Sequence, residues 1–137
     1  MISQGRAIAT IPTHSLAASR EYYEKTLGFR PVPGETGQNG QIMYAAGGDS
    51  EFLLFETPYA GTAQHTQMAI EVDDLKAETA DLRARGVTFA EYDEPGLKTV
   101  NGIASMPDGG QAAWFRDPEG NWIAVVHTAG VTAGAAG

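Results

Sequence analysis

The chain has 137 residues, enough for one domain or two small intertwined halves, and its lack of cysteine excludes disulfides, thiolate metal sites and cysteine nucleophiles. Nine basic residues face 17 acidic ones for a net charge of −8, a field that repels nucleic acid and favours neutral or cationic ligands. There is no secretory signal pattern and no apolar run of roughly 18 residues, so the expectation is a cytoplasmic protein without membrane or nucleic-acid partners.

A first strand is expected over Ile8-Ala9-Thr10-Ile11, then a polar break at Thr13-His14-Ser15 and a helix over 19–27. Gly28 stops that helix in a left-handed turn and Phe29 continues as strand. Residues 33–40 read as a flexible loop, followed by strands over 41–45 and 52–56 joined at Gly47-Gly48-Asp49. The pattern then starts again. A strand over 67–72 leads through Asp73-Asp74 into a helix over 75–85, stopped by Gly86 and continued by Val87-Thr88-Phe89. Residues 92–102 read as a long loop, either a lid or a ligand contact, with Lys98 its most reactive side chain. Strands over 112–116 and 122–127 close the chain, joined by the turn Asp117-Pro118-Glu119-Gly120-Asn121. The Ala/Gly-rich residues 129–137 are expected to be a flexible tail.

Gly28 falls 20 residues after Ile8, and Gly86 falls 19 after Gln67. Strand, N-cap, helix, stop glycine and closing hairpin therefore recur at matching lengths. The plan is α+β, with βαβββ occurring twice: module one over about 5–58 and module two over about 64–128, in a single domain over 1–128.

Two segments carry a resemblance. Ser19-Arg20-Glu21-Tyr22-Tyr23-Glu24-Lys25-Thr26-Leu27-Gly28-Phe29 resembles the first helix of glyoxalase and bleomycin-resistance proteins, the vicinal oxygen chelate superfamily. Phe115-Arg116-Asp117-Pro118-Glu119-Gly120-Asn121 resembles that superfamily's closing hairpin, and Val72-Asp73 before the second helix fits as well. The resemblance implies a cup-shaped mixed sheet with helices on its outer face, and two chains paired as a homodimer. Metal-dependent members place one His, Gln or Glu on each of four strands. The resemblance puts the matching positions at Ile8, Leu54, Gln67 and Ala124, of which only Gln67 has a donor atom. No metal or other cofactor is therefore expected. If the second strand carried its ligand two residues later, Glu56 with Gln67 and His65 would form a weak divalent site instead.

Within that cup, period-two alternation turns Thr10, Leu54, Gln67 and Glu71 inward, with His65 at the strand entrance. Trp114, Trp122, Ala124 and Val126 face the same interior, while Met68, Ile70, Phe115, Ile123 and Val125 pack against helices. Two tryptophans on adjacent strands offer a wall for a planar or cationic compound. The expected function is a metal-free protein that binds and sequesters a small organic molecule, as the bleomycin-resistance branch does. The alternative is a lyase or isomerase of the glyoxalase type, metal-free or with the weak site, using His65 or Glu71 as base. A cup filled by its own side chains is the third reading. No nucleophile elbow, phosphate loop or dinucleotide fingerprint is present.

Overall fold

The structure, a computed structural model, describes residues 1–128, so the tail expected over 129–137 lies outside the described residues. It is an α+β chain with one four-stranded and one six-stranded sheet. The chain divides into two units: Met1–Gln67 with the turn Asp117–Asn121, and Met68–Arg116 with the residues from Trp122 on. The closing turn thus groups with the first unit, although it joins two strands of the second.

In the first unit β1 (Ala9–Thr13) leads into α1 (Leu16–Glu21), which passes into a π-helical turn over Tyr22–Thr26. The helix starts at Leu16 and not at residue 19, because its first amides already have acceptors there. The Ser15 hydroxyl accepts from the Ala18 amide at 3.3 Å, and the Glu56 carboxylate accepts from the Leu16 amide at 2.9 Å. Gly28 takes the left-handed conformation, with φ 82°, as expected of the stop. β2 (Arg30–Pro31), β3 (Gln41–Ala45) and β4 (Glu51–Glu56) follow, in sheet order β1-β4-β3-β2 with β1 and β4 parallel.

The helix-covered face of this sheet is an aromatic core. Tyr23 stacks on Tyr44 at 6.1 Å and meets Phe52 at 5.8 Å, and Phe29 meets Phe52 edge-on at 4.9 Å. Ile11, Ile42 and Leu54 are cross-strand partners on this same face and are fully buried. Leu54 therefore belongs to the core under α1, which corrects the expectation that it turns toward a ligand. Its neighbours Leu53 and Phe55, paired with Thr10 and Pro12, occupy the opposite face.

One buried polar cluster orders the β1–α1 junction. Asp117 is 4% exposed, and its carboxylate accepts four hydrogen bonds. The Tyr23 hydroxyl donates at 2.7 Å, the Asn121 side-chain amide at 2.8 Å, and the Glu119 and Asn121 backbone amides at 2.9 Å each. A buried carboxylate without a cation is stable only with its lone pairs filled in this way. Burial, the Asp117 charge and this hydrogen bond hold the Tyr23 phenol well above its usual range. Asn121 also donates to the Pro12 carbonyl at 2.8 Å. Glu119 accepts from the Thr13 hydroxyl at 2.7 Å and from the Ser15 amide at 3.2 Å, and meets the His14 ring at 3.2 Å. Burial pushes its carboxyl upward, but these bonds and the His14 amide outweigh that and hold it below the ordinary carboxylate range.

In the second unit β5 (Thr66–Glu71) begins the sheet and α2 (Leu75–Ala84) is capped by Asp74, which accepts from the Ala77 amide at 3.1 Å. Residues 87–89 make only one bridge, Phe89 to Phe115. The stretch expected as a lid loop is strand: β6 (Asp93–Glu94), β7 (Leu97–Val100) and β8 (Ile103–Ser105). Asn101 and Gly102 have φ of 53° and 78°, as a two-residue type I′ hairpin requires. β9 (Gln111–Arg116) and β10 (Trp122–His127) complete the order β5-β10-β9-β8-β7-β6. Its first three strands repeat the order β1-β4-β3 of the first unit.

Three outcomes test this account. Tyr23→Phe, which removes one donor to a buried carboxylate, should lower unfolding free energy by about 1.5–3 kcal/mol in urea melts. Leu54→Ala should cost about 2–5 kcal/mol and Leu53→Ala about 1 kcal/mol or less; equal costs would refute the facing assigned to Leu54. Because the folded Glu119 carboxyl is depressed, its contribution is full above the unfolded value near 4.5 and is lost as pH falls through the folded one. The stability gap between the wild type and Glu119→Gln should therefore shrink steadily on acidification below pH 4.5.

Candidate functional site

The face of the second sheet opposite α2 gathers the aromatic candidates. The register pairs Arg116 with Trp122 and Trp114 with Ala124, so all four side chains stand on that face. Both tryptophans are half-buried, while Ala124 is 3% exposed. The Arg116 guanidinium lies 4.4 Å from the Trp122 ring centroid, and Tyr92 meets Trp114 edge-on at 5.8 Å. Glu71 and Ala69 are exposed on β5, and Met68 between strand neighbours is buried, so the side chains alternate along the strand.

Trp114, Trp122 and Ala124 thus share one face as expected, but the wall is not free for a cation. Arg116 already covers one face of Trp122 and places a positive charge there. The sequence contained the signal: a five-residue turn sets Arg116 directly opposite Trp122 in a closing hairpin. A flat aromatic surface with a guanidinium beside it can stack on a planar molecule and donate hydrogen bonds to an oxygen on its rim.

In the first unit Thr10 is exposed on the face opposite α1, and Ile8 is 37% exposed. His65 is exposed, with its Nδ1 at 3.0 Å from the Thr66 carbonyl. Gln67 is half-buried, and its Oε1 is buried with no hydrogen-bond partner among the described residues. Glu56 lies on the helix side, where its carboxylate holds the Leu16 amide at the start of α1.

The positions to which the resemblance points do not supply a full set of metal ligands. Ile8 and Ala124 have no donor atom, Leu54 has none and lies in the core, and the Gln67 amide oxygen alone is a weak ligand. The alternative set fails as well, since Glu56 is held at a helix terminus. Among the described residues no three of His, Asp, Glu or Cys cluster as a metal site would need. None of the described helices is long and apolar enough to cross a membrane.

Comparison with known proteins agrees with this architecture. A family model described as the Glyoxalase/Bleomycin resistance protein/Dioxygenase superfamily matches residues 6–125. A member of that superfamily from Sphaerobacter thermophilus is 22% identical, with TM-score 0.66 over 90% of this chain and 98% of its own. A bleomycin-binding protein solved with bleomycin is 20% identical, with TM-score 0.67 over 91% of this chain and 99% of its own. A lactoylglutathione lyase from Agrobacterium tumefaciens is 19% identical, with TM-score 0.62 over 90% of this chain and 93% of its own. No curated protein sequence matches the chain. With nearly its whole described length matched by the family model, the chain belongs to the glyoxalase, bleomycin resistance protein and dioxygenase superfamily.

Proposed function

We propose that this chain is a metal-independent binding protein for a small planar organic molecule, held on the open face of β9 and β10. One observation carries the reading: Trp114 and Trp122 stand half-buried on one face, beside the small Ala124, with Arg116 stacked on Trp122. Aromatic planes and one fixed donor are what orientation of a flat ligand requires. The guanidinium shifts the preferred ligand from a cation toward a compound with a carbonyl or acidic oxygen on its rim. The likeness to a protein solved with bleomycin supports binding as the activity. Pairing into a homodimer, implied by the family, is part of the same reading.

A second reading, a glyoxalase-type lyase or isomerase with His65 or Glu71 as base, is favoured by the unpartnered oxygen of Gln67. A substrate N–H or O–H would satisfy it.

Intrinsic fluorescence separates the outcomes. Titration with planar aromatic carboxylates and with planar aromatic cations should give saturable quenching, stronger for the carboxylates, that is lost in Trp122→Ala. Absence of saturable quenching by either class would defeat the binding assignment. Metal analysis of gently purified protein should find substoichiometric divalent ion and a melting temperature unchanged by chelator. A chelator-sensitive melt would return the assignment to a metal-dependent lyase or isomerase.

A further inference from the structure

In the second unit the sheet is wider than its helix. Strands lie about 4.8 Å apart and a helix with its side chains is about 10–12 Å across, so one helix covers about two strands. α2 packs on β9 and β10 and buries only Leu75 and Thr79. β7 and β8 extend beyond it, and on their helix-side face Val100 remains 69% exposed. The step between α2 and these strands is a groove of about 520 Å³, a volume in the range of small-molecule sites. It lies on the opposite face of β9 from Trp114, because Gln111 and Trp114 alternate along that strand.

Two cross-strand pairs form its floor. Val100 lies opposite Ile103 and Ser105 opposite Gln111, so an apolar row runs beside a hydroxyl and an amide. Lys76 and Arg83 come from one face of α2, seven residues apart, and Lys98 comes from β7. Of the five Lys and Arg after residue 60, three line this groove, while none of the 11 acidic residues there does. In a chain of net charge −8 this is a local reversal of sign. Arg83 is held in place by a hydrogen bond to the Asn101 carbonyl and by the Phe89 ring, 5.2 Å away. Asp93 is the register partner of Lys98, yet the two form no ion pair among the described residues. Lys98 therefore keeps its charge available to the groove.

We propose that this groove is a second ligand site, for a small organic anion with an apolar body and one carboxylate, sulfonate or phosphate-ester head. The body covers Val100 and Ile103. The head is held by Lys76 and Lys98, with Ser105 and Gln111 as hydrogen-bond donors.

The test uses 8-anilinonaphthalene-1-sulfonate, an apolar body with a single anionic head, followed by its own fluorescence on the native chain. Its uncharged analogue N-phenyl-1-naphthylamine is the control. The anion should bind saturably and at least about tenfold more tightly than the analogue. Read in a Trp122→Ala background, so that the tryptophan face does not contribute, Lys76→Gln with Lys98→Gln should weaken it by about tenfold or more, and Ser105→Trp, which fills an exposed part of the groove, should abolish binding. Far-ultraviolet circular dichroism should show both variants folded, and Trp122→Ala alone should retain saturable binding of the anion. Unchanged affinity in the two groove variants, equal binding of the uncharged analogue, or loss of binding in Trp122→Ala alone would each overturn the proposal. The last result would place the anion on the tryptophan face and leave the function proposed above standing.

Discussion

The Asp117 carboxylate is the constraint on which the β1–α1 junction depends. It sits out of water with no cation beside it, so every donor that reaches it is held in a narrow geometry. Tyr23 must point its hydroxyl at the carboxylate, which fixes the rotation of α1 on the sheet and the stacking of Tyr23 on Tyr44 and Phe52. Asn121 carries the same constraint to the Pro12 carbonyl on β1, and Glu119 carries it to Thr13 and Ser15. The two sequence segments that resemble the superfamily meet in this cluster. Their shared residues are explained by the folding of the junction, so they identify the fold without naming a reaction.

Both proposed sites lie on surfaces that this framework leaves free. In the second unit α2 covers two strands of six, and the sheet has two unlike faces. One bears two half-buried tryptophans and an arginine. The other has a basic step where β7 and β8 pass beyond the helix. Net charge described neither surface. The −8 of the whole chain predicts a preference for cations, whereas Arg116 on one face and Lys76, Arg83 and Lys98 on the other are positive where a ligand would sit.

Some misplacements have clear physical causes. Glu51-Phe52-Leu53-Leu54-Phe55-Glu56 is apolar at four successive positions, so period-two alternation gives no facing, and Leu54 was assigned by family register to the wrong side. The start of α1 depends on Glu56, 40 residues away in the chain, which no local cap rule can foresee. The strands β6 to β8 are short, mixed in polarity and interrupted by Pro95-Gly96 and Asn101-Gly102, so locally they read as loop. Asn101-Gly102 did carry a hairpin signal, but two-residue turns are informative only when the flanking strands are recognised.

By itself the sequence determined what short-range stereochemistry controls. This includes the stop glycines Gly28 and Gly86, the Asp74 cap, the five-residue closing turn, most strand positions, and the alternation that put Trp114, Trp122 and Ala124 on one face. Of the four positions to which the resemblance points, only Gln67 carries a donor atom, whatever the fold. Tertiary structure decided the rest. It placed Leu54 in the core, took Glu56 to a helix terminus, stacked Arg116 on Trp122, and gathered three bases where α2 ends its cover of the sheet. These outcomes depend on which strands become neighbours and how far one helix reaches across them, and local sequence encodes neither.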